Sequence, residues 1–368
     1  MVGGSSMKRV LALDLLCPEG HVAFDSGVIG ALGQCAIVHL AVAKGYFGRE
    51  SPTGASVTYE APQWLYVPAR TRLCSKARVK QLLVALYWTF RLRLSSYDAI
   101  LVLSYETISF SVAIALFGRQ TALFAFDHNN LDDLMSRLKQ WCFRRLSRRV
   151  HHLVPEPYMM DVVRRFGGPR VRGSVVPFPI RHFSATGTEE GMDGNGKARL
   201  RCVGPSGSND EAFVEWMIHR EASTSVLRRH GVSLYLHSRN ESFDDGWLYV
   251  YRERLDDDVY ESRLRDADLV VLPYPQTFEN RVSGVLLEAL AYRRHWIGTD
   301  TPMFRDYALM YPTLGQVCQT YEELLLALLR VTRAELRMTP DSAWDAVATA
   351  HSRGAVAEAL VRALESSR

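Results

Sequence analysis

Ser283, Gly284, Val285 and Glu288 are the residues of this chain whose types and spacing best suit chemistry. They follow a continuous apolar run, Leu269 to Leu272, that Pro273 and Pro275 bring to an end by removing backbone donors and fixing φ. Ser283 offers an N-cap, and Val285, Leu286, Ala289 and Leu290 recur at helical spacing, so a helix is predicted to start near Ser283. The first turn of a helix has unpaired N–H groups and a partial positive charge, which suits a phosphate or pyrophosphate, and Gly284 lets such a group approach the backbone. Glu288 stands just over one turn further in, where a carboxylate can accept two hydrogen bonds from the vicinal diol of a ribose. Together these residues read as a nucleotide site. A strand followed by an amphipathic helix with one acid near its start is also commonplace architecture, so the pattern alone does not separate the two readings.

The wider stretch does separate them. Ala267-Asp268 before the strand, Pro273-Tyr274 after it and Ser283-Gly-Val-Leu-Leu-Glu-Ala-Leu-Ala291 resemble the C-terminal donor-site signature of the retaining GT-B glycosyltransferases, glycosyltransferase family 4. His295 to Asp306 is similar to the strand and turn that follow it there. The resemblance implies that Glu288 binds the ribose of a sugar nucleotide and that the Ser283-Gly284-Val285 backbone holds its diphosphate. The family often carries two glutamates separated by seven residues. Here the first of those positions is Asn280, a residue able to hydrogen-bond a sugar hydroxyl, and Glu279 lies one place early.

The same resemblance assigns roles elsewhere. After the first strand of the second domain the family places an arginine and then a lysine against the diphosphate, whereas residues 204–210 contain neither. Backbone donors of Gly204 to Ser208, Ser206 among them, and Arg281 are the expected substitutes. Tyr251 and Arg252 occupy the place where the base is held by backbone contacts. In the first domain, Thr121 to Phe126 reads as a strand delivering Asp127 and His128 at its C-terminal end, the end that faces the ligand crevice in open parallel sheets. His128 matches the family's histidine near the transferred sugar, with Asp127 to orient it; a competing role for Asp127 or Asn130 is to cap the helix that carries Leu131, Leu134 and Leu138. Gly20 and His21, in the loop after the first strand, are expected at the cleft floor, near donor phosphate or acceptor.

The 368 residues are 47% hydrophobic and 23% charged, ordinary for a globular chain and long enough for two cores. No apolar run reaches the roughly 18 residues of a membrane span, and no signal-peptide pattern opens the chain, so a cytoplasmic location is expected. Met1 to Ser6 reads as a cloning remnant or an unstructured extension. The six cysteines, Cys17, Cys35, Cys74, Cys142, Cys202 and Cys318, lack paired or metal-ligand spacing and read as reduced thiols. The pair His151-His152 has no companions at ligand spacing, and Asp256-Asp257-Asp258 reads as the acidic first turn of a helix, so no metal is expected.

Charge is unevenly shared. Residues 1–180 hold 22 Lys and Arg against 12 Asp and Glu, a net +10, and residues 181–368 hold 22 against 28, a net −6. A basic N-terminal half suits phospholipid headgroups or a lipid diphosphate carrier, and nucleic acid is the competing partner. No nucleic-acid motif accompanies the charge, which favours a membrane. The segment Lys76 to Arg93, basic at both ends with aromatics between, can lie on a bilayer with Trp88 and Phe90 dipping into it, or pack on a sheet with its basic ends solvated. A second basic helix, Arg137 to Arg149, is predicted to bury Leu138, Trp141, Cys142 and Leu146.

Strands alternate with helices throughout, which is the α/β class. The resemblance, strongest over 265–306, implies a GT-B fold of two doubly wound, Rossmann-like domains facing across a cleft. The expected boundaries are an acceptor-side domain at 1–183, a Gly/Thr/Glu-rich linker at 184–197, a nucleotide-sugar domain at 198–345 and a C-terminal helix at 346–368 returning to the first domain. The implied activity is hexosyl transfer with retention, from a UDP- or GDP-sugar to a glycan or lipid-linked saccharide, in polysaccharide or glycoconjugate biosynthesis. The donor is then a substrate, no cofactor is expected, and peripheral attachment to the inner face of an anionic membrane fits the basic half. The opposing expectation is a non-catalytic relative that binds a glycan or a protein partner.

Overall fold

The described residues of the computed structural model, 7–16, 22–48, 52–66, 75–117, 121–128, 130–180 and 200–366, form two seven-stranded sheets. Gly20, His21, Cys17, Cys74 and the linker 184–197 lie outside those residues. The first sheet is built from β1 (Lys8–Asp14), β2 (Ala36–Ala43), β3 (Ala55–Ala61), β4 (Ala99–Ser104), β5 (Ala122–Phe126), β6 (Val150–Val154) and β7 (Arg172–Val175). Its order is β3-β2-β1-β4-β5-β6-β7, with every pairing parallel. The second contains β8 (Leu200–Gly204), β9 (Val232–His237), β10 (Phe243–Asp244), β11 (Leu248–Tyr251), β12 (Leu269–Leu272), β13 (His295–Thr299) and β14 (Gly315–Cys318). The order here is β10-β11-β9-β8-β12-β13-β14, parallel except for the β10–β11 hairpin.

Parallel strands covered on both faces need continuous rather than alternating apolar residues, and β4, β6 and β12 are buried at every position. In the first sheet, Val28 and Ile29 of the helix Val22–Leu32 pack with Val356 and Leu360 of the helix Arg353–Ser366 on one face. On the other, Val84 and Trp88, Phe110 and Ala113, and Leu146 come from the helices Ser75–Arg91, Thr107–Ala113 and Arg137–Ser147. The chain divides into two compact units, one of Met1–Arg181, Asn280–Val282 and Ala350–Arg368, the other of His182–Glu279 and Ser283–Thr349. In each sheet the strand order reverses once, between β1 and β4 and between β8 and β12, and it is at the carboxyl ends of such strands that doubly wound sheets bind ligands.

Three sequence expectations are corrected. Trp88 is only 1% exposed and its indole N–H donates to the Tyr66 hydroxyl at 3.1 Å, so it is a core residue and does not face a bilayer. The helix Arg137–Ser147 buries Cys142, Phe143 and Leu146 and leaves Leu138 and Trp141 exposed, its inner face turned toward Phe143, which packs with Leu131 and Leu134. That helix is preceded by a 3-10 turn at Asp132–Met135 and has Ser136 at its N-cap position, so neither Asp127 nor Asn130 caps it. Cys35, Cys142, Cys202 and Cys318 are free thiols.

Candidate functional site

At the reversal point of the second sheet the ends of β8 and β12 are locked together. A Cβ on Gly204 would lie 2.6 Å from Leu236 Cδ2 and 2.8 Å from the Val271 carbonyl oxygen, so only glycine lets the end of β8 sit between β9 and β12. Asn209 Nδ2 donates to the Gly204 and His237 carbonyls at 2.7 and 2.9 Å, and the Asp210 N–H donates to the Pro273 carbonyl at 2.6 Å. The loops after both strands are thereby held by backbone bonds as well as packing.

Tyr274, two residues past β12, ties its loop to the helix start at side-chain level. Its buried hydroxyl bonds Ser283 Oγ at 2.9 Å, and burial pushes it up to about 12. Ser283 Oγ accepts from the Leu286 N–H at 3.1 Å as the N-cap of the helix Gly284–Ala291, while the Ser283 N–H donates to Met303 Sδ at 3.1 Å. The serine is therefore committed to building the helix start. Gly284 and Val285 follow it as the first two helical residues, whose N–H groups have no carbonyl inside the helix to bond. A Cβ on Gly284, or on Gly207 in the loop after β8, would meet nothing within 4 Å, and neither glycine has a positive φ. Neither the turn nor packing asks for glycine at these places; both backbones border open space.

Glu288 accepts a hydrogen bond from the Tyr260 hydroxyl, on the helix Asp257–Asp266. Burial raises its carboxyl above the usual range, and the nearby charges of Asp257 and Glu261 add to the rise while Tyr260 opposes it. Tyr260 thus holds Glu288 as Tyr274 holds Ser283, one tyrosine to each of the two polar residues of this helix start. Tyr251 closes β11, with its ring 5.5 Å from that of His237 and under the Arg263 guanidinium at 5.2 Å. Glu279 is exposed in the loop before the helix.

Asn280 and Arg281 belong to the first unit. The Asn280 N–H donates to Asp132 Oδ1 at 2.7 Å, the Arg281 guanidinium pairs with the same carboxylate, and the Arg281 carbonyl accepts from the Tyr158 hydroxyl at 2.8 Å. Asp127 is fully buried after β5. Its carboxylate accepts from the Tyr105 hydroxyl and pairs with His152 Nδ1 at 2.7 Å, and His152 Nε2 in turn bonds Ser147 Oγ at 2.9 Å. This makes Asp127 the hub of a buried network across β4, β5 and β6. His128 is buried beside it, with its ring 4.8 Å from that of Phe24. Tyr260 and Tyr274 are the site residues that the sequence did not single out for a role: Tyr274 sits inside the recognised motif, and Tyr260 is 28 residues before the acid it serves.

No protein-family model matches the chain, and neither does any curated protein sequence. Solved structures do. A trehalose-6-phosphate synthase studied for glycosyl transfer with retention superposes with TM-score 0.66 at 12% identity over 98% of this chain and 99% of its own. HepE of Anabaena, solved with UDP and glucose, gives 0.64 at 11% over 98% and 100%. WaaG, a glycosyltransferase of lipopolysaccharide biosynthesis, gives 0.60 at 13% over 97% and 98%. The fold is GT-B. At such identities the likeness establishes the GT-B architecture and leaves the activity to be argued from the site.

Proposed function

We propose that the protein is a nucleotide-sugar-dependent glycosyltransferase that moves a hexosyl group from a UDP- or GDP-sugar to a glycan or lipid-linked saccharide, with retention of configuration. The observation that carries the reading is the helix start at Ser283–Gly284 beside open space, with the Glu288 carboxylate one turn deeper and braced by Tyr260. In the proposal the Gly284 and Val285 N–H groups receive the diphosphate and Glu288 accepts from the ribose hydroxyls. Tyr251 and Arg252 border the base, and Asn280 and His128 are the residues that the resemblance assigns to the sugar. The departing β-phosphate takes the acceptor's proton on the face where the new bond forms, so no separate carboxylate base is needed. Rate then comes from positioning and from stabilising the leaving diphosphate, with Arg281 as the cation assigned to it. Retention is supported by the likeness of residues 265–306 to the retaining signature, and the donor class by the neighbour solved with UDP and glucose.

One observation favours a second reading, a non-catalytic relative that binds a glycan or protein partner. Residues 204–210 contain no Arg or Lys, and Arg281 is already neutralised by Asp132. A panel of UDP- and GDP-sugars, assayed for nucleotide release with and without saccharide acceptors, separates the two. Release from one donor, stimulated by an acceptor, supports the transferase; a chain that releases and binds no nucleotide is the non-catalytic relative.

A further inference from the structure

The helices Ser75–Arg91, Thr107–Ala113 and Arg137–Ser147 lie side by side on one face of the first sheet, and between them they hold eight Lys and Arg and no Asp or Glu. Their inner sides bury Val84, Trp88, Phe110 and Leu146. Their outer sides are apolar as well. Val79, Leu83 and Phe90 stand at i, i+4 and i+11, which at 100° per residue puts them on a single stripe, and Phe90 is 86% exposed. Leu138 and Trp141 (59% exposed) continue the apolar surface on the third helix, and Met135 (82% exposed) precedes them. Arg91 and Arg93 are exposed at the Phe90 end, and Arg144 and Arg145 beside Trp141. A solvated helix face is ordinarily polar, so a stripe of this kind marks a surface that meets something else.

We propose that this three-helix face docks onto an anionic phospholipid bilayer. Aromatic and aliphatic side chains standing out from cationic helices that carry no acid of their own fit the boundary between acyl chains and headgroups, with Phe90 and Trp141 entering it and the arginines reaching phosphates; the acid that pairs with Arg78, Glu106, is buried. A nucleic acid would satisfy the arginines and give Val79, Leu83 and Phe90 no apolar medium, and a second copy of the same face would bring like charges together. The surface differs from the one expected from sequence: Trp88 is inside, and the exposed rows belong to Val79, Leu83, Phe90, Leu138 and Trp141.

The test is flotation of the full chain at low salt with phosphatidylcholine vesicles, alone or with phosphatidylglycerol as about a third of the lipid. The expected result is retention on the anionic vesicles, weakened by added salt. A Leu83→Ser, Phe90→Ser, Trp141→Ser variant, altered only at exposed positions and checked for unchanged circular dichroism, should lose binding about tenfold or more. Arg144→Glu with Arg145→Glu should lose it about tenfold as well. No retention on anionic vesicles would overturn the proposal, as would binding unaffected by the apolar variant. So would a dimer in solution that the apolar variant dissolves while lipid binding is absent. Because the readout uses neither donor nor acceptor, it stands apart from the glycosyl-transfer reading.

Discussion

The Tyr260 hydroxyl donates to the carboxylate of Glu288, so the acid assigned to the ribose is held in place from its protein side. Burial and the charges of Asp257 and Glu261 push Glu288 up, and this hydrogen bond pulls it back by favouring the ionised form. If the ionised form accepts the ribose hydroxyls, affinity for UDP or GDP falls on acidification as Glu288 takes up its proton. In Tyr260→Phe that fall should begin at higher pH, since the opposing bond is gone. Isothermal titrations across pH check it, and superimposable profiles would remove Glu288 from the binding account.

Gly284 heads its helix beside open space, with neither a positive φ nor a neighbour to require glycine. Gly284→Ala should therefore leave the melting temperature unchanged or slightly raised, the folded protein changing by under about 1 kcal/mol. Nucleotide affinity should drop, and Gly284→Val should drop it further. Unchanged affinity in both would place the diphosphate elsewhere.

A buried acid pair in the first unit predicts how stability follows pH. Asp14 accepts from Ser104 Oγ and from the Leu16 N–H at 2.8 Å, and burial pushes it up to about 6. Asp25, raised well above the carboxylate range by burial and then by Asp14, accepts from the Tyr46 hydroxyl at 2.6 Å. Both folded-state values are raised, so the stabilising contribution is complete below the ordinary carboxylate range and is lost as pH rises through about 6 and beyond. A shift of about 2 units at Asp14 corresponds to about 3 kcal/mol. Melting of the first unit should fall from pH 4 towards pH 7, and Asp25→Asn, which keeps an acceptor for Tyr46, should flatten the slope. Parallel slopes for the two proteins would refute the assignment.

Arg281 tests whether the ion pair with Asp132 carries chemistry or only architecture. As the cation for the leaving diphosphate, Arg281→Ala should lower kcat by about a hundredfold while nucleotide Kd changes less than about threefold. Arg281→Lys should recover part of the loss. An equal loss in Asp132→Ala would show that the pair merely holds the segment in place.

Legibility in sequence followed the range of the interaction. The β12-to-helix segment could be read because its signals are local: Pro273 and Pro275 stop the strand, Ser283 caps, and Leu286 and Leu290 face inward. The bond from the Asp210 N–H to the Pro273 carbonyl was not, since it depends on two loops brought together by the reversal of strand order. The same holds for Tyr260 and Glu288, and for Asp127, whose partners are Tyr105, just past β4, and His152 on β6. The helix Ser75–Arg91 misled because its second half, from Leu82 to Phe90, is apolar on both sides: Val84 and Trp88 lie on one, Leu83 and Phe90 on the other, and periodicity cannot choose between two apolar stripes. The two-residue strand β10 and the edge strand β3, with few buried residues, left little pattern to read.

The most direct test of the central claim is calorimetric titration of UDP and GDP into the wild-type chain and into Glu288→Ala. The account predicts that one of the two nucleotides binds the wild type and that the variant, equally folded by circular dichroism and melting temperature, binds it at least about tenfold more weakly. Equal affinity in the two proteins, or no nucleotide binding by the wild type, would contradict it.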